Sequence, residues 1–365
     1  MKCIAVFFGG VSVEHDVSVI TGVMTLNSID KNKFNPIPVY VSRQGQWFTG
    51  NALFDLDEYK NLDYKKVKKV CMVQGENALY QIKGKRLKKI DNVFCAINCL
   101  HGERGEDGTL AGLLGACKVP LVGADLLPAS LSMDKTFTKT ALKSIGVQTV
   151  KGITITSEEE SQKVLKQMAF PLIVKPNALG SSIGVGKANN EEQLKDAVRQ
   201  ALRYGEKVVI EPFLQDFIEI NCAVYRMADG NINVSACERP IPRDKILSFG
   251  DKYKEGKREF PAKIDKALAQ KIASTTQKIY TELGFDGVIR IDYFIVNGKV
   301  LVNEINSVPG SLAYYLFFDT MKGFSKMLTD LIYSAEKKFL QRSAYITDYN
   351  SGILTCFGSK GAKRL

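Results

Sequence analysis

The chain is poor in the residues that build zinc knuckles and disulfide frameworks. Its 365 residues hold only two histidines, His15 and His101, and none of its eight cysteines forms a CxxC pair. Cysteines scattered at 3, 71, 95, 99, 117, 222, 237 and 356 read as reduced, buried thiols. No apolar run approaches the ~20 residues of a membrane-crossing helix. The apolar stretch at the N-terminus, 3–8, is too short for a signal segment and reads as a buried strand, so a cytoplasmic location is expected. A full GxGxxG is missing, which argues against a dinucleotide fingerprint. No internal repeat is visible.

What is present is ordinary in bulk and specific in detail. Hydrophobic residues make up 45% and charged residues 24%, as in a soluble globular protein, and the length suits two or three domains. The net charge of +11 is concentrated in runs such as 65–69 and 83–89. No aromatic residues interleave there to stack bases. A solvated basic surface, or attraction of nucleotides and small acids, accounts for the charge. Nucleic acid and membranes are not expected partners.

The first segment, 1–125, has α/β character. A strand over 4–8 meets the turn Gly9-Gly10, and a helix follows over 17–28. Further strands are expected over 36–41 and 93–100, with a hairpin over 80–90 and a helix over 108–117. Strand, glycine turn and helix in succession suit phosphate or acid binding. A second segment, 126–214, carries a helix over 134–145, a capped helix start at Thr156, strands over 170–175 and 207–211, and an amphipathic helix over 190–204. A third segment, 215–342, becomes antiparallel, with strands over 218–225, 232–237, 287–296 and 300–304 and helices over 267–283 and 321–339. The polar stretch 239–263 has no clear period, and a loop that long in a compact region is usually functional or disordered. Residues 343–365 read as a basic tail.

The densest chemistry lies in two adjacent strands. Arg290-Ile291-Asp292 is followed, after one short turn, by Asn303-Glu304-Ile305-Asn306 and Pro309-Gly310. Side chains two apart on a strand share a face. Two carboxylates and an amide without His or Cys suit Mg²⁺ held against phosphates. The geometry sets a condition: a two-residue Asn297-Gly298 turn pairs Asp292 with Asn303 and turns Glu304 to the other face. A three-residue loop ending at Gly298 brings Asp292 and Glu304 together and is the expected form.

Other motifs are weaker alone. Lys175-Pro176 leads into the loop 177–186, containing Gly180-Ser181-Ser182, whose backbone N–H groups can fold over phosphates. The strand ending Glu211-Pro212-Phe213-Leu214 can frame an adenine, and Glu219 can hold ribose hydroxyls. Glu14 stands where a loop enters a helix, a position that dipole effects alone also favour. His101-Gly102 opens a polar glycine-rich loop after a strand.

Taken in order, these motifs resemble the D-alanine-D-alanine ligase family of the ATP-grasp superfamily. The matches are Gly-Gly-x-Ser-x-Glu at 9–14, His-Gly-x-x-Gly-Glu-Asp-Gly at 101–108 and Ser-Met-Asp-Lys at 132–135. The set continues with Val-Lys-Pro and Gly-Ser-Ser-x-Gly at 174–184, Arg-Ile-Asp at 290–292 and Asn-Glu-Ile-Asn-x-x-Pro-Gly at 303–310. The resemblance implies a three-domain ATP-grasp fold with an N-terminal Rossmann-like domain and ATP held between the second and third domains. It implies ligation of two D-alanines through a D-alanyl phosphate, for peptidoglycan synthesis. By matching position, Lys135, Lys175 and Ser182 hold ATP phosphates, and Glu211, Phe213, Leu214 and Glu219 frame adenine and ribose. Asp292, Glu304 and Asn306 bind two Mg²⁺ ions, with Mn²⁺ as a substitute. Glu14 holds the first amino group, and His101 lines the substrate site. Arg290 and the Gly310 N–H stabilise the oxyanion. Ser181 bonds Glu14 and a loop tyrosine, matched by Tyr253 beside Lys252. A homodimer is implied in the same way.

The pattern breaks after Gly310. Tyr315 falls where the family places a serine that binds the acceptor carboxylate, so the acceptor pocket is expected to differ, and D-serine or another amino acid is an alternative acceptor. Phe249 stands where the family often has tyrosine. A non-catalytic nucleotide-binding relative is the remaining alternative.

Overall fold

The computed structural model describes residues 1–241 and 257–357, with 359 and 361. The expected loop residues Phe249, Lys252 and Tyr253 lie outside the described residues.

The first sheet contains β1 (Lys2–Gly9), β2 (Phe34–Val41), β3 (Trp47–Thr49), β4 (Lys68–Met72), β5 (Ala78–Lys83), β6 (Arg86–Asn98) and β7 (Leu121–Val122). The expected hairpin and the strand after it are one element. β6 pairs antiparallel with β5 through its first half and parallel with β1 through its second. β1 also pairs parallel with β2. From Cys3 to Gly9, β1 is buried residue by residue, which is why it reads as a continuous apolar run rather than an alternating one. Its neighbours lead away in opposite directions, so the loops after β1 and β6 open side by side at the carboxyl edge. Open parallel sheets take ligands at such a crevice.

Helix α1 (His15–Ser28) leaves that edge and packs on β1, and α2 (Thr109–Ala116) follows the loop after β6. The approach of α1 is closest at Gly22, where an added Cβ would lie 2.2 Å from the Phe8 ring. Helices α3 (Leu126–Met133) and α4 (Lys135–Ser144) connect to the second sheet. Asp134 caps α4 by accepting from the Phe137 N–H.

The second sheet runs β10-β9-β11-β8, formed by β8 (Ile153–Ile155), β9 (Leu172–Pro176), β10 (Gly186–Ala188) and β11 (Val208–Pro212). The helix expected to start at Thr156 begins later, as α5 (Ser161–Leu165). The Thr156 N–H and hydroxyl instead donate to Glu160 Oε2 at 2.8 and 3.1 Å and close a turn. α6 (Glu191–Ala201) is capped by Asn190.

The third sheet runs β13-β12-β16-β17, from β12 (Ile218–Arg226), β13 (Ile232–Val234), β16 (Val288–Val296) and β17 (Lys299–Asn306). A separate pair, β14 (Arg239–Ile241) with β15 (Lys257–Glu259), flanks the undescribed segment. α7 (Lys266–Glu282) joins the core under this sheet, and α8 (Met321–Ser343) packs between it and the first sheet.

The β16–β17 hairpin corrects one expectation and keeps its consequence. The connection is the two-residue turn, with Val296 opposite Lys299 and positive φ at both Asn297 and Gly298. These are the angles a tight hairpin requires. Yet Asp292 pairs with Glu304, because the register shifts between Asp292 and Tyr293. Asn303 is the extra residue of a β-bulge, so the offset comes from the strand and not from the loop.

Replacing Gly22 with alanine forces α1 away from β1. Overpacking of this kind costs about 1–3 kcal/mol, and denaturant unfolding of the Gly22→Ala variant is expected to show that loss.

Candidate active site

The bulged hairpin supplies the polar floor. Arg290 lies opposite Asn306 and Asp292 opposite Glu304, so the four side chains share one face. Arg290 Nε and Nη2 donate to Asp292 Oδ1 and Oδ2 at 2.7 and 2.9 Å, a fork that fixes the buried carboxylate. Asn306 Nδ2 donates to the Arg290 carbonyl at 3.3 Å.

Beside this floor a cleft of about 800 Å³ opens between the second and third sheets. Lys135, Lys175, Ser182, Glu211, Phe213, Leu214, Glu219 and Glu304 all line it. Lys175 Nζ donates to Glu211 Oε2 at 2.7 Å and to Asn303 Oδ1 at 3.2 Å. Lys139 reaches the other oxygen of Glu211 at 2.5 Å. Burial pushes the Glu211 carboxyl up, but the two ammonium groups outweigh it and hold it below its ordinary value. Burial lowers the Lys135 ammonium, which donates to the Leu179 carbonyl at 2.6 Å. Phe217 and Phe294, ring centroids 4.6 Å apart, add an apolar wall.

The first sheet closes the other side. Ser181 Oγ donates to Glu14 Oε1, joining the loop after β9 to the loop after β1, and Ser181 and Ser182 both hold positive φ, at 55° and 57°. An added Cβ on Gly102 would meet Ser12 Oγ at 2.4 Å and Glu14 Oε2 at 3.1 Å, and one on Gly180 would lie 3.3 Å from both Glu14 oxygens. Both loops need glycine to approach this carboxylate. His101 is buried and its Nε2 lies 3.2 Å from Thr21 Oγ1. Burial, reinforced by the Arg290 charge, lowers its pKa to about 4. Glu106 accepts from the backbone N–H groups of Gly102 and Val308 at 2.9 and 3.0 Å. Burial, then the charge on Glu14, raises its carboxyl to about 8.

Gly310 begins a short turn, Gly310–Leu316, in which Ser311, Leu312 and Ala313 have φ of 54°, 48° and 50°. A left-handed conformation costs roughly 1–2 kcal/mol per L-residue, so this turn persists only because its surroundings hold it. Tyr315 packs within it. Burial raises its phenol, whose hydroxyl hydrogen-bonds to Arg290. The Arg258 guanidinium lies 4.8 Å from its ring centre and contacts Glu238 at 3.1 Å.

The sequence-derived set therefore falls into one region, apart from Lys252 and Tyr253, which are not described. Thr21 and Lys139 were not anticipated, and Glu106 and Asn303 stood inside expected motifs without a role of their own. Lys139 follows Lys135 by one helical turn, and that spacing was a usable signal. Nothing local marks Thr21.

The donor set also bears on metal binding. Among the described residues no cluster of three or more His, Cys, Asp or Glu is placed to hold an ion. Two carboxylates and one amide on a single face do fit Mg²⁺, which completes its shell with phosphate oxygens and water.

Family models for the D-ala D-ala ligase N-terminus and C-terminus match residues 3–124 and 141–334. The chain belongs to the D-alanine–D-alanine ligase family. It is 37% identical over 360 residues to the D-alanine–D-alanine ligase of Thermosipho melanesiensis, covering 96% of this chain and 98% of that one. Among solved structures it resembles the VanG D-Ala:D-Ser ligase of Enterococcus faecalis, with a TM-score of 0.79, 29% identity and coverage of 92% and 99%. It also resembles the D-alanine-D-alanine ligase of Helicobacter pylori, with a TM-score of 0.76, 29% identity and coverage of 92% and 98%. The fold is thus the ATP-grasp fold of this ligase family, and the chain is an enzyme of that family. No helix among the described residues is long and apolar enough to cross a membrane.

The His101 environment predicts a pH dependence. Between about pH 6.5 and 4 the unfolded chain takes up a proton that folded His101 refuses, so this residue erodes stability as pH falls through that window. The His101→Gln variant is expected to lose stability less steeply there, as followed by urea unfolding at each pH.

Proposed function

We propose that the protein uses ATP and Mg²⁺ to join two D-alanines through a D-alanyl phosphate, supplying a dipeptide for peptidoglycan. The observation that carries this reading is the single face formed by Arg290, Asp292, Glu304 and Asn306 beside a cleft lined by Lys135 and Lys175. In it Glu211, Phe213, Leu214 and Glu219 frame the adenine and ribose, while Lys135, Lys175 and Ser182 hold the phosphates. Asp292, Glu304 and Asn306 are the side chains that would hold two Mg²⁺ ions. Bound there, the ions would neutralise charge on the phosphates. Glu14 receives the ammonium of the first amino acid, and Ser181 fixes the Glu14 carboxylate. His101, neutral at working pH, lines the same end.

The chemistry is carboxylate activation followed by amine attack. The carboxylate oxygen of the first D-alanine attacks the γ-phosphorus and ADP leaves. The second amino group then attacks the acyl carbon, loses a proton, and phosphate departs. Arg290 and the Gly310 N–H face the oxyanion of the tetrahedral intermediate, where fixed donors lower the barrier most. By family resemblance Lys252 and Tyr253, which lie outside the described residues, would help exclude water from the acyl phosphate. A homodimer is part of the proposal, by family resemblance.

A second reading changes only the acceptor. Tyr315 occupies the place of a serine, its hydroxyl is committed to Arg290, and Arg258 covers its ring. D-serine or another small amino acid is the alternative acceptor. Incubating the protein with ATP, Mg²⁺ and D-alanine, alone and with a panel of second amino acids, separates the two by mass spectrometry of the dipeptides. D-alanyl-D-alanine as the main product is expected; a mixed dipeptide selects the second reading. With no dipeptide and no phosphate release, both fail. The Glu304→Gln variant, made to test the metal assignment, is expected to lose turnover by at least about 10²-fold, the scale of removing one electrostatic contact to a transition state. Undiminished turnover removes Glu304 from the metal site.

A further inference from the structure

The left-handed turn after Pro309 is held from outside its own domain. Thr21, in the middle of α1, accepts the Ser311 N–H on its hydroxyl at 3.1 Å. Glu106, in the loop after β6, accepts the Val308 N–H at 3.0 Å, with the Ser307 hydroxyl 3.5 Å from the same oxygen. The two anchors bracket Gly310, one on each side. Both come from the elements that open at the carboxyl edge of the first sheet. We propose that Thr21 and Glu106 are positioning residues that fix the 307–313 turn, so that the Gly310 N–H meets the oxyanion of the acyl-transfer step. The inference rests on the ligase reading above and assigns to the first domain a part in that step.

Thr21 has a second task in this arrangement. Its hydroxyl carries one proton and two lone pairs. One lone pair takes the Ser311 N–H; the proposal assigns the proton to His101 Nε2, 3.2 Å away, a contact whose direction depends on the ring tautomer. Nδ1 is then the ring nitrogen that carries hydrogen. A single hydroxyl thus couples the tautomer of His101 to the placement of the turn. Burial keeps the His101 ring neutral, so one of its two nitrogens carries no hydrogen and can accept. Glu106 is equally suited to its role. Each of its two oxygens accepts one backbone N–H, Oε2 from Gly102 and Oε1 from Val308.

The test compares Thr21→Val, Thr21→Ser and Glu106→Gln with the unaltered enzyme, once that enzyme is shown to form a dipeptide. Failure of the parent to ligate overturns the ligase reading; the anchors are then judged on the variants' thermal melting and on His101 alone. With an active parent, Thr21→Val and Glu106→Gln are expected to lower kcat roughly 10- to 100-fold, up to the scale of losing one oxyanion donor, with KM for ATP unchanged. Thr21→Ser restores the hydroxyl and is expected to restore kcat. Proton NMR of the His101 ring is expected to report the Nδ1–H tautomer in the parent and in Thr21→Ser, and a mixture in Thr21→Val. Unchanged kcat in Thr21→Val overturns the proposal. So does a loss that Thr21→Ser shares, or one that follows the folded fraction, or a tautomer that none of the variants moves.

Discussion

One misplaced residue in a ladder governs the rest of this site. The tight turn at Asn297 and Gly298 closes the β16–β17 hairpin in the register its twist prefers. Left alone, that register would pair Asp292 with Asn303 and send Glu304 to the other face. The bulge at Asn303 absorbs one residue and restores the pairing of Asp292 with Glu304. The same displaced residue meets Lys175, so the bulge also ties the floor of the site to the second sheet. A hairpin is among the most regular of local structures, and the chain departs from regularity where two carboxylates must converge.

Converging charges are expensive to bury, and the site shows how the cost is met. Asp292 is held by both arms of Arg290, and Glu211 by Lys139 and Lys175. Such pairs rarely stabilise a fold better than apolar residues would. Glu106 goes further, since burial and the charge on Glu14 oppose its ionisation. Groups held this far from their ordinary state are better explained by what they bind than by what they stabilise.

Much of this was legible before any coordinates, because glycine-rich loops after strands and paired acids leave local marks. The Gly9-Gly10 turn, the His101 loop and the Ser181 loop are short strings with fixed chemistry; the first leads into Glu14 and the other two close on its carboxylate. What was not legible depends on registers and angles. The bulge has no composition of its own, since Asn303 reads like any polar strand residue. The left-handed turn uses Ser311, Leu312 and Ala313, none of which favours positive φ. Thr21 looks like any helical threonine, and its partner lies 290 positions away in the chain. α3 was not expected; it carries Pro128 in its first turn, where proline is tolerated. Sequence motifs record chemistry that is local; the register and strain that aim it are set by packing.

Tyr315 shows how those two levels meet. Read as a string, it is a departure from a pattern, either a packing residue or an altered pocket. In the fold these alternatives do not compete. Its ring is covered by Arg258, whose guanidinium is drawn there by the buried Glu238, and its hydroxyl is bonded to Arg290. The same guanidinium that meets the phenol also grips Asp292 with both arms. A serine at this position would be too short to reach across in the same way. In the ligase proposed above, the acceptor carboxylate would meet a rim made of the Tyr315 ring and the exposed part of Arg258 rather than a small hydroxyl. Shape and cationic charge together would then set selectivity at that end.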